Sequence, residues 1–150
     1  MSSIITIIEA VVADLTPKPV FMYGFKSWAN LKADEKTFPI VILVEPITSD
    51  DTFRQGGLVD SSYPIFMLFL DRTELANTPE EHRPVVDSMR ELRRQFILKL
   101  KLAKNSYNEH IFKSIDNVKT TDTFNELDVN ASGVGLNFTA TPLNSDGVCT

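Results

Sequence analysis

The sequence has little cysteine and little histidine, with one and two copies respectively among 150 residues. The lone Cys149 excludes an internal disulfide. Its place beside the C-terminus is typical of a frayed tail, not of a nucleophile held in a pocket. His82 and His110 are far apart, and neither has a second ligand at helical spacing. We therefore expect packing or surface roles for both, not a metal site.

Long apolar runs and a basic excess are also missing. No run approaches the roughly 18 apolar residues that a membrane helix needs. Glu9 interrupts the first apolar residues and no basic region precedes them, so we expect no signal peptide and no membrane attachment. The net charge of −5 disfavours a general nucleic-acid binder, which normally has a basic excess. We expect a chain made in the cytoplasm and kept or assembled there.

Motifs with a known chemistry are absent as well. Gly133-Val134-Gly135 is a lone G-x-G that enters a strand, so it predicts close packing or a bend, not dinucleotide binding. The neighbouring carboxylates Asp50 and Asp51 more often stay solvated than bind a cation. There is no phosphate loop, nucleophile elbow or metalloprotease motif. The sequence thus predicts no catalytic residues, no metal and no cofactor.

Two continuous apolar stretches, Phe38–Ile47 and Tyr63–Leu70, are the most informative feature that is present. The composition around them, 43% hydrophobic and 23% charged, fits one globular domain over residues 1–150. Neither stretch alternates, so each predicts a strand that is buried on both faces. The predicted helices cover one face only, and we expect other copies of the chain or a second protein to cover the other.

Two helices are predicted. Residues 3–15 have an apolar stripe at helical spacing, with Ser2 or Ser3 as a cap and Pro17 after the end. A longer helix starts from the capping box Thr78-Pro79-Glu80-Glu81 and ends near Ala103. Pro84 should bend this helix or move its start. Its buried stripe is Val85, Met89, Leu92, Phe96 and Leu100, widened by Val86 and Ile97.

The remaining segments predict strands at residues 20–25, 111–119 and 134–141, the last with one wet face. The order of elements predicts an α+β fold: a mainly antiparallel sheet of about four to six strands with both helices packed on one face. Thr48–Ser62 is long for a hairpin connection. It predicts a β-hairpin or long loop that protrudes from the body and turns at Gly56-Gly57.

The outer surface of the long helix has two interpretations. Four basic residues fall in one row along it: Arg83, Arg90, Arg94 and Lys101. The row is either a solvated face with Asp87–Arg90 and Glu91–Arg94 pairs, or an electrostatic seam against an acidic surface of a neighbouring copy.

Three further residues of this helix are notable. Leu98 and Leu102 lie one turn apart and predict a small exposed apolar contact. Arg93 points toward the apolar stripe, where it should extend its charge to solvent or pair with an acid.

The layout resembles the tail-terminator, or tail-completion, proteins of bacteriophages and their relatives in head-to-tail necks. The resemblance spans nearly the whole chain. The segments that carry it are Phe38–Glu45, the extended loop through Gly56-Gly57, Tyr63–Asp71 leading into Thr78–Glu81, and the late strand Ser132–Pro142.

The resemblance implies a structural virion protein without enzymatic activity. Such proteins form rings, usually six-fold and in some necks twelve-fold, that join tail and connector. Other neck or tail proteins would be its partners, and DNA would pass through without specific binding. The expected subunit contacts are Arg54, Gln55, Gly56, Gly57 and Leu58 in the loop, and Arg90, Arg94, Leu98, Lys101 and Leu102 on the helix.

Two alternatives stay open. The chain would otherwise be a small α+β enzyme or ligand-binding domain, with a pocket between sheet and long helix that uses His82 or Arg93. It could equally be a cellular adaptor that docks a partner on its apolar sheet.

Overall fold

The computed structural model of the protein describes residues 3–24, 39–45, 47–53, 59–72, 79–123 and 131–143. These residues form two helices and six strands. The helices are α1 (Ile4–Ala13) and α2 (Pro79–Leu102). The strands are β1 (Val20–Gly24), β2 (Ile40–Val44), β3 (Asp50–Phe53), β4 (Val59–Arg72), β5 (Phe112–Thr123) and β6 (Ala131–Pro142).

Helix α1 begins where its sequence predicts. The Ser3 hydroxyl accepts a hydrogen bond from the Thr6 backbone N–H at 3.2 Å, which caps the first turn. The helix ends at Ala13, ahead of Pro17. Its apolar stripe is buried against the rest of the molecule despite the β-branched residues, because burial outweighs a modest local preference. The buried residues are Ile4, Ile7, Ile8, Val11 and Val12.

Helix α2 runs from Pro79 to Leu102, which confirms the start at the capping box and excludes a later start near Pro84, one of the two effects predicted for that proline. One missing backbone donor at Pro84 is outweighed by the long buried stripe that follows. Phe96 lies at its centre, with its ring centroid 5.7 Å from that of Phe69 and 6.0 Å from that of Phe138. The buried residues of the stripe include Val86, Met89, Leu92, Phe96, Ile97 and Leu100.

The sheet has the order β1-β2-β4-β6-β5, and β3 pairs with β4 outside this path. All pairs are antiparallel except β1 with β2, which is parallel. The α+β class with a mainly antiparallel sheet is therefore confirmed. The parallel pair was not predicted from the sequence. Residues 25–39, which connect β1 to β2, are numerous enough for the crossover that parallel strands require.

Both helices pack on one face of the sheet, as predicted. There they share a single apolar cluster with alternate residues of the strands, among them Val41, Phe69 and Leu136. The opposite face has its own buried cluster, formed by residues of β1, β2, β4 and β6. Its members are Met22, Ile40, Ile42, Leu68, Leu70 and Ala131.

The two apolar stretches are buried on both faces over Ile40–Leu43 and Met67–Leu70, as their lack of alternation predicts. The start of the second stretch differs, because Pro64 and Phe66 are exposed and alternate with buried residues. Ile40, Val41, Ile42 and Leu43 are each 0% exposed. The expected reason is wrong for this part of the sheet, because solvent is already excluded within one chain and no second copy is needed there. A smaller apolar area stays open on the same face around Phe66, which is 38% exposed.

Strand β6 is half-wet only in its second half, where Asn137, Thr139 and Thr141 are more exposed than their buried neighbours, and the prediction is wrong for its first half. Asn137 is exposed, but Gly133 and Gly135 are buried. The physical reason is the position of β6 between β4 and β5, with the Phe66 ring close to Gly135. A small residue on the outer face of a central strand is covered by its neighbours' side chains.

Candidate assembly surface

The predicted protruding hairpin exists. Strand β3 pairs with the first four residues of β4, from Asp50 opposite Ser62 to Phe53 opposite Val59. We call these two paired segments, Asp50–Phe53 and Val59–Ser62, the arm. The predicted contact residues Arg54, Gln55, Gly56, Gly57 and Leu58 lie outside the described residues.

The arm extends beyond the body of the sheet. Strand β4 begins to pair with β6 only at Tyr63, so its first four residues continue for roughly 13 Å past that point. All four residues of β3 are exposed, and the side chain of Phe53 is 76% exposed. The Ser61 hydroxyl donates to Asp51 Oδ1 at 2.6 Å across the arm, which helps to hold its two segments together.

Phe53 was missed as a site residue by sequence reasoning, although it left a signal. It is a lone aromatic side chain in an otherwise polar segment, and such a residue has no alternating partners that would bury it in a sheet. A large aromatic side chain left in water is informative, because aromatic residues contribute strongly to interfaces.

The basic row on α2 is partly satisfied within the chain. Arg94 makes two hydrogen bonds with Glu91, at 2.6 and 2.9 Å, as the solvated interpretation predicts. These bonds, together with the charge of Arg94, hold the pKa of the Glu91 carboxyl below its usual value. Arg90 pairs with Asp122 on β5, not with Asp87. The long arginine side chain reaches across to the sheet, which no helical spacing could have revealed.

The other predicted contacts on α2 are open to solvent. Leu98 is 46% and Leu102 is 66% exposed, which confirms the exposed apolar pair. Lys101 is exposed too, and it has no acidic partner among the described residues. The structure brings Leu98, Lys101 and Leu102 together at the C-terminal end of α2, on a surface separate from the arm.

Arg93 is half-buried on α2 and pairs with no acid among the described residues. Its Nε atom is buried and has no hydrogen-bond partner within the same part of the chain. Burial, followed by the neighbouring charges of Arg90 and Arg94, lowers the pKa of its guanidinium. A buried donor without a partner costs free energy, so Arg93 is an unfavourable feature of an otherwise apolar stripe.

The structure places His82 against a serine that the sequence did not single out. His82 Nδ1 and Ser132 Oγ are 3.0 Å apart, and the two residues are 3% and 0% exposed. A serine–histidine pair can activate a nucleophile, but only where a substrate reaches the hydroxyl. This pair is closed off by burial and acts as a polar link between α2 and β6. Within the described ranges, no three His, Cys, Asp or Glu residues are grouped to hold a metal ion.

The lone G-x-G is a close-packing device, as predicted. A Cβ atom at Gly133 would overlap the carbonyl oxygen of Phe69 on the neighbouring strand. At Gly135 it would lie 3.3 Å from the Phe66 ring. Glycine lets β6 approach β4 at these two positions.

Two open grooves are prominent on the surface. One, of about 660 Å³, lies between α1 and the C-terminal end of α2 and is called the α1–α2 groove. The other, of about 440 Å³, lies on the far face of the sheet beside Phe66. The first is lined by Thr6, Ile7, Ala10, Val11, Ala13, Asp14, Lys99, Leu102, Ala103, Lys104 and Ile111.

No protein-family model and no curated protein matches this chain. Of the helices that the structure describes, neither is both long enough and apolar enough to cross a lipid bilayer.

Proposed function

We propose that this chain is a structural subunit that assembles with copies of itself into a ring, as part of a phage tail or head-to-tail neck. The observation that carries the proposal is the arm. Its strand β3 is exposed along its whole length, and Phe53 is exposed near its end. Folding of a single chain gains little from such an extension, whereas assembly gains an anchoring side chain.

The separation of the surfaces involved supports a ring. The arm continues from the sheet, while Leu98, Lys101 and Leu102 lie on α2, on a different part of the subunit. Contacts between two different surfaces of identical subunits are head-to-tail, and they close into a ring when the rotation between neighbours permits. The phage assignment rests on the layout and on the acidic net charge of −5, which suits a channel that DNA passes without adhering.

The first test is the mass of the purified chain over a wide concentration range, by native mass spectrometry, with electron microscopy of any large species. We expect a closed ring of six or twelve copies. Phe53→Ala should reduce assembly, and Val118→Ala is its matched control because Val118 is an exposed apolar residue on β5, 40% exposed. Equal assembly by both variants would count against the arm as a contact.

The second test addresses the particle. A phage from which this chain is removed should produce heads and tails that fail to join or tails of abnormal length. Particles with normal tails and filled heads in its absence would overturn the proposed function.

A further inference from the structure

The α1–α2 groove has an apolar floor and a basic rim. Ile7, Val11 and Ile111 line it, and Leu102 borders it with 66% of its surface exposed. Lys99 is paired with Asp14 at 3.0 Å, whereas Lys104 has no acidic partner among the described residues. The groove thus offers apolar surface next to an unpaired positive charge.

The arm has the complementary character. Phe53 provides a large apolar side chain, and Asp50 and Asp51 place two negative charges on the same short strand. Asp51 points to the same face of β3 as Phe53, because side chains alternate along a strand. Its carboxylate accepts a hydrogen bond from Ser61 and has no basic partner among the described residues. A groove of about 660 Å³ has room for a phenylalanine ring together with the neighbouring strand backbone.

From this match, and resting on the proposed function, we infer that the α1–α2 groove receives the arm of a second copy, with Phe53 on its apolar floor and Asp51, which lies on the same face of β3, facing Lys104. Within one chain the arm leaves Phe53 in solvent, so the occupant is another subunit's arm. The other groove is less suitable, because Glu45 is the one charged residue in its described lining, whereas the α1–α2 groove has Lys99 and Lys104 against Asp14.

The positions of donor and acceptor also favour closure. The arm includes the first four residues of β4, and the next residue, Tyr63, pairs with Ala140 near the end of β6. Ile111, in the α1–α2 groove, hydrogen-bonds to Leu143 just after that same end of β6. Arm and groove therefore lie at the same end of the sheet. This placement is compatible with neighbours that are related by rotation without a rise, which is the condition for a closed ring.

Disulfide trapping between two differently marked copies tests the inference. In a Cys149→Ser background, one copy has Phe53→Cys and the other Leu102→Cys, and the two are mixed under mild oxidation at high concentration. We expect a cross-linked pair of the two different copies. The matched control replaces Leu102→Cys by Val118→Cys, which marks an exposed apolar position on β5 and should cross-link at least tenfold less.

The outcomes separate the two proposals. Assembly without a Phe53→Cys to Leu102→Cys link, or equal linking to the Val118→Cys control, overturns the groove as acceptor and leaves ring assembly standing. A chain that shows neither assembly nor linking, alone or in the particle, overturns both proposals.

A charge exchange gives a second, independent measurement that does not need new cysteines. Lys104→Glu should weaken assembly about two- to five-fold, the range for a solvent-exposed ion pair. Asp51→Lys should do the same, and the two changes together should restore it. If the double variant does not recover assembly, this pairing is excluded. As a control, both single variants should remain folded, which shows that only the contact between subunits was altered.

Discussion

Strand β4 passes through two environments, the body of the sheet and the arm. Residues in the two parts differ in how much they contribute to the stability of the fold. From Tyr63 to Arg72 the strand pairs with β6, and from Met67 to Leu70 it also pairs with β2 on its other side, where Met67 and Phe69 are fully buried. Its first four residues pair with β3 alone among the described strands, in the arm. The body segment stabilises the fold by burying apolar surface. The arm buries little, and its exposed Phe53 contributes to the folded chain hardly at all.

The largest expected effect concerns the centre of the body. Phe96→Ala should lower the free energy of unfolding by about 3–5 kcal/mol, because a fully buried aromatic side chain leaves a cavity between Phe69 and Phe138. Phe53→Ala, the same change in the arm, should stay within about 0.5 kcal/mol. Urea denaturation of both variants measures the difference. Similar losses of unfolding free energy in the two variants would mean that the body and the arm do not differ in their contribution to stability.

The next effect concerns the close approach of β6 to β4. Gly133→Ala should cost about 1–3 kcal/mol, because the added methyl group overlaps the Phe69 carbonyl and the backbone must move. Gly135→Ala is the control, since the group it meets is the partly exposed Phe66 ring, which can shift. Thermal unfolding should therefore rank Gly133→Ala as clearly the less stable variant. The reverse order would mean that the two strands pack differently.

A smaller effect of opposite sign is expected at Arg93. Arg93→Met removes the buried Nε that lacks a partner and keeps an apolar side chain of similar length, so the variant should be unchanged or more stable by about 1 kcal/mol. Arg90→Met breaks the ion pair with Asp122 and should lose up to about 1 kcal/mol. Chemical denaturation compares the two. A clear loss at Arg93→Met would show that its guanidinium is stabilised in the folded chain.

The smallest effect is expected at the surface of the body. Like the arm, this surface should contribute little to the free energy of unfolding. The pKa of the Glu91 carboxyl is lowered mainly by its hydrogen bonds from Arg94, so Arg94→Gln should raise it toward the usual value. The stabilisation by this pair is present above the unfolded-state pKa and disappears as the pH falls through the folded-state pKa. An NMR titration of Glu91 measures the shift. An unchanged pKa would mean that the two side chains are not paired in solution.

Much of the body could be predicted from local pattern. The Ser3 cap, the stripe of α2 and the continuous apolar stretches each have one dominant physical meaning, and the structure agrees with them. The arm was predictable from the length and polarity of residues 48–62. The acceptor groove was not, because α1, α2 and Ile111 are distant in the sequence and only packing brings them together.

The largest difference between the sequence-based prediction and the structure concerns what covers the apolar strands. The chain's two-sided apolar strands were correctly predicted as buried, but the exclusion of solvent from Ile40 and Ile42 is achieved within a single copy. The case for larger assembly therefore moves from the sheet to the arm and the grooves.

By itself the sequence determined the two helices, the two-sided strands and the protruding hairpin, because each depends on the spacing of apolar, polar and turn residues along a short stretch. Only the tertiary structure decided the parallel pairing of β1 with β2, the Arg90–Asp122 and His82–Ser132 contacts, and the α1–α2 groove. These depend on which distant segments share the same space, and that choice is set by the packing of the whole chain.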